Sequence, residues 1–525
     1  NTPNLDAVQR NSAGCKHIMM RKVVLVACLL PCAWTMFTPS RVVRRAATMR
    51  SSTVASSAAA PDEVSPENPL KVLIAGGGVG GLMAAKAIRD MGGDNVEVQV
   101  LERVKDFRLF GGPIQLASNA LETLRLIDED LFRKVESKAT FTGDRTCGIK
   151  DGIRTEWYAK FDLLSPAKDR GMPPTCVVAR PDLQNIFMDD LGDIVKLGNG
   201  VESYERDPVQ GVSAIMQDGS RVRGDVLIGA DGIWSSVRAK MYGEPLVRGP
   251  GATAKYSGYT VFAGECYCDP PDKPYTGYKV YIGPQQYFVI SDIGGGQMQW
   301  YAFVALDEGY VPPTDLLSYV KNRYEGWSDE IHFVIDATEI EEVEQRDLYD
   351  RKPMVTKSWT DGPVTLLGDA IHAMMPNLGQ GGCQAIEDAH VLGQEISAVT
   401  KRSEVPNALR NYWGRRLVRS ATVQGLSRFA SDIIIRGFDT PCKITSNGFE
   451  NFNYAGVVTR ILQPVLPVFF WIQFNYLYSG WRNEPILGTA GADKAAQIEP
   501  PAPYVPAPGA ASKTESETRA KEMAK

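Results

Sequence analysis

The chain has 525 residues, 44% hydrophobic and 23% charged, with a net charge of −5. That length exceeds one compact core and implies two or three domains. No basic block occurs in the folded part, so nucleic acid is not an expected partner. The nine cysteines (Cys15, Cys28, Cys32, Cys147, Cys176, Cys266, Cys268, Cys383 and Cys442) form no CxxC pair, and there are only four histidines, so no metal site is expected.

Between Ala7 and Pro61 there are eight Lys or Arg and no Asp or Glu, and the chain without residues 1–60 carries 49 basic and 61 acidic residues. Met19–Lys22 is a short basic start. Val23–Phe37 is an apolar run too short to span a bilayer comfortably. Thr38–Ala60 is rich in Arg, Ser and Ala. This is the order of a signal peptide followed by a transit peptide, and it predicts a plastid reached across extra membranes. A single signal anchor and an unstructured leader are the competing readings.

Pro61–Pro69 is a Pro/acidic linker. It leads into KVLIAGGGVGGLMAAKAIRDMGGDNVEVQVLER, Lys71–Arg103, which reads as strand, glycine turn, helix and strand. Gly76, Gly78 and Gly81 make a G-x-G-x-x-G pattern. Gly76 suits the tight turn, Gly78 the close approach of a pyrophosphate, and Gly81 the packing of helix on strand. The helix N-terminus presents about half a positive charge to the phosphates. Glu102 lies 21 residues past Gly81 at the end of the next strand, where a carboxylate can accept two ribose hydroxyls. The expected ligand is a dinucleotide.

A mixed stretch follows to about residue 240. From Tyr256 to about Ile335, β-branched and aromatic runs (YTVFAG, YKVYIG, QYFVI, MQWYAFVAL) alternate with turn residues and predict an antiparallel sheet. Its rings are candidates for a polyene-sized groove, about half of them being core only. A buried strand and a helix return at PVTLLGDAIH and GGCQAIEDAHVLGQEIS. Glu387 and Asp388 fall early in that helix, where they suit its dipole. Ile461–Trp481 carries no charge, and Pro464 and Pro467 break it, which favours a segment lying in a membrane interface over a buried packing helix or a span. The last 35 residues, rich in Ala, Pro and Lys, are expected to be disordered.

GDVLIGADGIWSSVR (Gly224–Arg238) and VTLLGDAIHAMMPNLGQGGCQAIEDA (Val364–Ala389) resemble the DG and GD motifs of flavoprotein monooxygenases of the p-hydroxybenzoate hydroxylase type. The resemblance makes FAD the ligand. It places Arg180, Gln184, Asp231, Gly232 and Asp369 on the cofactor. It also sets the Pro376–Gly381 loop, with Gly379, Gln380 and Gly381, against the flavin ring. His372 is read as structural. The phrases GGPIQLASNALETL, YSGYTVFAGE and GPQQYFVISDIGGGQMQWYAF are similar to the zeaxanthin epoxidase family over roughly residues 68–490, without the forkhead-associated domain that land-plant members carry.

What this resemblance implies is an α/β fold: a Rossmann-like FAD-binding domain, an inserted antiparallel substrate sheet and a C-terminal helical segment. The boundaries are leader and linker 1–66, FAD-binding 67–240 and 355–410, sheet 241–354, helical and membrane-associating 411–490, and tail 491–525. The implied activity is epoxidation of a xanthophyll β-ring through a flavin C4a-hydroperoxide, with O2 as co-substrate and NADPH or another reductant as donor. No side chain acts as a catalytic residue. The implied partners are a carotenoid and a thylakoid or envelope surface. An aromatic hydroxylase of the same fold, or a carotenoid cyclase that consumes no O2, is the alternative.

Overall fold

A computed structural model describes residues 62–107, 112–207, 211–249, 251–436, 466–480, 482, 489–499 and 501–507. The leader, Cys442 and Pro464 lie outside the described residues.

Leu70–Ala75 (β1) is apolar at every position but Lys71, as a strand covered on both faces must be. It sits at the centre of a six-stranded sheet, parallel to Val96–Leu101 (β2) on one side and to Val226–Gly229 on the other. Val195–Lys196 extends the sheet beyond β2, and Val364–Leu366 extends it beyond Val226–Gly229, with Thr360–Asp361 antiparallel at the edge. Three adjacent parallel strands therefore release the three motifs at one sheet end: β1 into Gly76, Val226–Gly229 into Asp231, and Val364–Leu366 into Asp369. Ligands of parallel sheets bind at that carboxyl end.

Two helices pack across this sheet through small residues. Val79–Gly92 (α1) follows the glycine turn and Gly381–Ser397 (α3) follows the GD motif; Arg180–Leu191 (α2) lies between them in the chain. A Cβ on Gly80 would lie 3.0 Å from the Ala385 methyl, and one on Gly393 3.0 Å from that of Ala87. Early residues of α1 thus meet early residues of α3, and late meet late. The helices run in the same direction, and their N-termini open at the same end of the sheet.

The second sheet has seven strands, in the order Val343–Asp350, Lys255–Tyr267, Gln297–Ala305, Gln286–Gly294, Thr276–Gly283, Thr146–Asp151 and Trp157–Phe161. It begins earlier than residue 241: Thr146–Asp151 pairs in parallel with Thr276–Gly283, a partner far along the chain that no local pattern announces. Period-2 alternation sorts its aromatic residues. Phe262, Tyr281, Phe288 and Trp300 are buried in one core with Tyr324 and Trp327 from the helical stretch behind the sheet. Tyr259, Tyr287 and Phe303 belong to the opposite face, which meets Met375 beside the GD motif.

Val405–Arg436 (α4) and Leu466–Ser479 (α5) are the two long helices of the described C-terminal region. Pro467 does not break α5. It stands in the first turn, where no intrahelical N–H bond is lost, and the helix is continuous from Leu466. Its last turn is held by Arg419 of α4, whose guanidinium donates to the Leu477 carbonyl at 2.7 Å. Ala490–Ala496 (α6) follows. Of the tail expected to be disordered, residues 491–499 and 501–507 are placed by the structure. Tyr504 stacks edge-on to Phe132 and donates to Glu136 Oε1 at 2.7 Å, while Arg125 and Arg133 donate to the carbonyls of Ala502 and Val505. One aromatic ring and satisfied backbone carbonyls anchor a composition that otherwise reads as unstructured.

Candidate functional site

The glycine turn is shaped by its neighbours. Gly76 has φ +104, and a Cβ there would sit 2.6 Å from the Ala230 carbonyl oxygen. The constraint therefore comes from the DG segment lying against it as well as from the turn. A Cβ on Gly81 would meet the Gly76 carbonyl oxygen at 2.0 Å, whereas one on Gly78 meets nothing within 4 Å. Gly76 and Gly81 are closed by protein, and Gly78 faces open space. Gly78 also caps α1 without a side-chain hydrogen bond, leaving the helix's first N–H groups free for an anion.

Glu102 is tied down by the backbone. Its Oε2 accepts from Gly77 N at 2.6 Å and its Oε1 from Val104 N at 3.0 Å. Each oxygen keeps a second lone pair for a hydroxyl. Asp231 uses Oδ2 to accept from the N–H groups of Ser236 and Val237, fixing the start of the helix Ser236–Tyr242. Its Oδ1 is buried without a hydrogen bond. Gly232, next to it, has φ +78 and open space where a Cβ would stand.

Asp369 is exposed at the carboxyl end of the sheet although protein atoms crowd around it, so it lines a concave hollow. Burial pushes its carboxyl above the usual range, against the opposing pull of His372 and Arg180. Among the described residues it makes no hydrogen bond or ion pair. Its Oδ1 lies 4.0 Å from where a Gly381 Cβ would be, at the N-terminus of α3, which has no side-chain cap. Arg180 opens α2 and forms no ion pair among the described residues; its charge acts on both Asp369 and the Tyr301 phenol. Gln184 is one turn further along α2 and half-buried. Two uncapped helix N-termini, a lone arginine, an unpaired carboxylate and Glu102 thus surround one hollow. That donor and acceptor set fits a dinucleotide with two phosphates and several hydroxyls.

The loop after the GD motif is clamped. Pro376 is exposed and Gly379 has φ +60. Between them, Asn377 accepts from the Tyr287 hydroxyl at 3.0 Å and donates to Ser431 at 2.9 Å. The Gln380 side chain turns inward, accepting from Asn119 and Gln384, so only its backbone can serve the hollow. Glu387 and Asp388 do not act as dipole partners. Both are completely buried: Glu387 pairs with Arg416 and Arg419, and Asp388 with Arg416 and His372. His372 is thereby a structural residue holding the GD turn, whose Gly368 N–H also donates to Asp388. Sequence reasoning missed Asn119, Gln384, Arg416 and Arg419. Three arginines close together at 415, 416 and 419 were the available signal.

The inner face of the seven-stranded sheet adjoins the hollow. Cross-strand partners lie in rows, and one row runs Ala159, Ile149, Val280, Val289, Tyr301, Ala263. All but Ala159 are half-exposed, while Ile282, Tyr287, Phe303 and Val261 in the next row are buried. From Ala159 to Tyr301 this row spans roughly 19 Å, at about 4.8 Å per strand. At its far edge Phe161 packs against Phe470 of α5, with ring centroids 4.3 Å apart.

The family described as FAD binding domain matches residues 69–425. The chain is 41% identical over 383 residues to "Zeaxanthin epoxidase, chloroplastic" of Spinacia oleracea, covering 71% of this chain and 55% of that protein. It is 42% identical over 377 residues to the protein of the same name from Oryza sativa subsp. japonica, covering 69% and 55%. The chain thus spans about half the length of these curated relatives. Among solved structures it is similar to Klebsiella pneumoniae HpxO complexed with FAD and uric acid, with TM-score 0.65 and 23% identity over 78% of this chain and 96% of that one. A salicylate hydroxylase substrate complex gives TM-score 0.62 and 21% identity over 83% and 99%. These two likenesses establish the fold.

Proposed function

The chain belongs to the FAD binding domain family, and we propose that it is an FAD-dependent monooxygenase that epoxidises the 5,6 double bond of a xanthophyll β-ring. The observation that carries this reading is the row of largely apolar side chains from Ala159 to Tyr301 on the inner face of the seven-stranded sheet. It is far longer than a phenol and begins beside α5, which suits a polyene entering from a lipid phase. The identity to plant zeaxanthin epoxidases supports the same substrate class.

The chemistry supplied by bound FAD is activation of O2 for transfer of one oxygen atom, using two electrons from NADPH or another reductant. The protein binds and orients. Gly78 and the N-termini of α1 and α3 face the cofactor's anionic groups, and Glu102 and Asp369 accept its hydroxyls. The Pro376–Gly379 loop, clamped by Tyr287 and Ser431, supports the ring system. The apolar row of the sheet would hold the polyene and keep water from the reacting end. No side-chain nucleophile is required. The test is O2 and reductant consumption on adding dispersed zeaxanthin, with a mass gain of one oxygen per ring. Turnover of small phenols with no epoxide would favour the aromatic hydroxylase, and ring isomerisation without O2 would favour a cyclase.

Gly78→Val separates cofactor binding from folding. The new side chain enters open space, so the fold should persist while the pyrophosphate is excluded. Purified wild type should be yellow and the variant colourless with an unchanged circular dichroism spectrum. A yellow variant would remove Gly78 from the binding site.

The same reading includes a membrane surface and a plastid address, which the acid-free leader and the chloroplastic relatives support. Among the described residues no helix is long and apolar enough to cross a membrane; α5 has 14 residues, about 21 Å against a hydrocarbon core of about 30 Å. Its inner side rests on Phe161, while Val468, Trp471 and Ile472 are 57%, 58% and 37% exposed. Inserting those three would contribute about 1.5–3 kcal/mol each. Replacing all three by Ser should move the protein from sedimenting liposomes to the supernatant, at high salt as well as low, without loss of flavin. Continued sedimentation would show that α5 is a packing element only.

A further inference from the structure

We propose that Arg125, Phe132, Arg133, Glu136 and Gly171 form a recognition site for a proline-flanked tyrosine, and that its occupation by this chain's own residues 501–507 holds α5 in place. The inference goes beyond epoxidation and does not depend on it.

The docked segment turns one large side chain inward. Ala502, Pro503, Val505 and Pro506 are exposed, whereas Tyr504 is half-buried. The Tyr504 ring stands edge-on to Phe132 with centroids 6.0 Å apart, and the Arg125 and Arg133 guanidiniums lie 5.8 and 5.9 Å from its centre. Its hydroxyl donates to Glu136 Oε1 at 2.7 Å, a bond that phenylalanine could not make. The backbone is read as well. Tyr504 N donates to the Gly171 carbonyl at 2.6 Å, and Arg125 and Arg133 donate to the carbonyls of Ala502 and Val505 at 2.8 and 3.0 Å. Pro503 needs Gly171 bare, since a Cβ there would lie 3.0 Å from the Pro503 Cβ. Three prolines, Pro501, Pro503 and Pro506, limit the freedom of the segment before it docks. Proline-rich ligands use the same economy of entropy when they enter aromatic-lined sites.

Occupation reaches α5 through one turn. Gly171 follows Arg170, which donates to the Pro166 carbonyl at 2.8 Å and to Asn475 Oδ1 of α5 at 2.9 Å. The docked segment and α5 thus hold the same turn. Releasing the segment loosens the turn and, with it, the bond to Asn475.

The test uses the full FAD-loaded chain and a fluorescent peptide of residues 499–510. In wild type the segment is tethered, and an effective concentration of order mM for a short flexible link keeps the peptide out. Tyr504→Ala should empty the site and bind the peptide at least roughly tenfold more tightly than wild type does, with flavin content unchanged. A peptide with Ala in place of the tyrosine should not bind, and one with Phe should bind more weakly. Amide hydrogen exchange in α5 should be roughly fivefold or more faster in Tyr504→Ala and return to the wild-type rate on saturation with peptide. Asn475→Ala should speed that exchange while the peptide stays excluded. Tyr504→Phe, which keeps the ring and loses only the bond to Glu136, carries the same comparison should Tyr504→Ala lose its flavin. Peptide binding that is equal in wild type and variant, or absent from both, would overturn the recognition site. Unchanged exchange in α5 once the site is empty would overturn its hold on that helix.

Discussion

Glu387→Ala should cost about 3–5 kcal/mol of stability, because it strips a buried carboxylate from two arginines. Glu387 accepts from Arg419 Nε and Nη2 at 2.6 and 2.7 Å, from Arg416 Nη1 at 2.7 Å and from Asn119 Nδ2 at 2.8 Å. Arg416 keeps Asp388 and Gln384 in the variant. Arg419 keeps backbone carbonyls near the end of α5 and the face of the Tyr476 ring but no carboxylate among the described residues, so its charge is left buried without a counter-ion. Glu387→Gln retains shape and one acceptor and should fall between wild type and Ala. The measurement is the thermal unfolding midpoint of each FAD-loaded protein, with limited proteolysis around α5 as a local readout. A change below about 1 kcal/mol, the scale of a surface pair, would mean that water reaches this cluster.

The same cluster sets an acid limit. Burial pushes the Glu387 carboxyl up, but Arg419 and Arg416 outweigh it and hold it below the usual range; for Asp388, His372 and Arg416 do the same. A carboxyl depressed on folding stabilises above its unfolded value and loses that contribution as pH falls through the folded value. Wild type should therefore weaken below about pH 4, where unfolded Asp and Glu titrate. Glu387→Ala should be less stable at neutral pH and show a shallower acid slope.

The parts of this fold that were legible in the sequence are those in which backbone chemistry dictates residue type locally. Gly76, Gly78 and Gly81 declare a turn and a close approach, and the strands before Asp231 and Asp369 are short apolar runs. What stayed hidden depends on distant pairing. The strand Thr146–Asp151 looked no different from its surroundings, since its partner comes more than a hundred residues later. Glu387 and Asp388 looked like dipole companions, because Arg416 and Arg419 reach them only when α4 folds back. The aromatic runs of the sheet were visible as strands, but alternation alone could not say which face met the cofactor. Tyr301 and Trp300 are neighbours in sequence and opposite in role. Tyr504 was lost in a Pro- and Ala-rich tail whose composition favours disorder; a single ring over Phe132 was enough to overturn it.

Asp369→Ala should lose FAD while keeping the fold. The carboxylate lines the hollow and has no protein partner among the described residues, so removing it breaks nothing within the apoprotein. It also relieves the cost of enclosing a charge, so apoprotein stability should stay level or rise. Cofactor affinity should move the other way. Hydrogen bonds to a charged acceptor contribute on the order of 1.5–3 kcal/mol each, and loss of one or two weakens binding by roughly tenfold or more. The pH dependence carries a second signature. Burial raises this carboxyl above its usual range in the apoprotein, and donors on the cofactor favour the anion and pull it back down. Binding then releases a proton in the window between the two values, and wild-type affinity should tighten as pH rises through it. Asp369→Ala should bind weakly with that slope removed, and Asp369→Asn should recover part of the affinity but none of the slope. Titrating FAD into apoprotein across pH, followed by quenching of flavin fluorescence, reads both quantities. Affinity and slope unchanged in Asp369→Ala would mean that this carboxylate supports the GD turn without touching the cofactor.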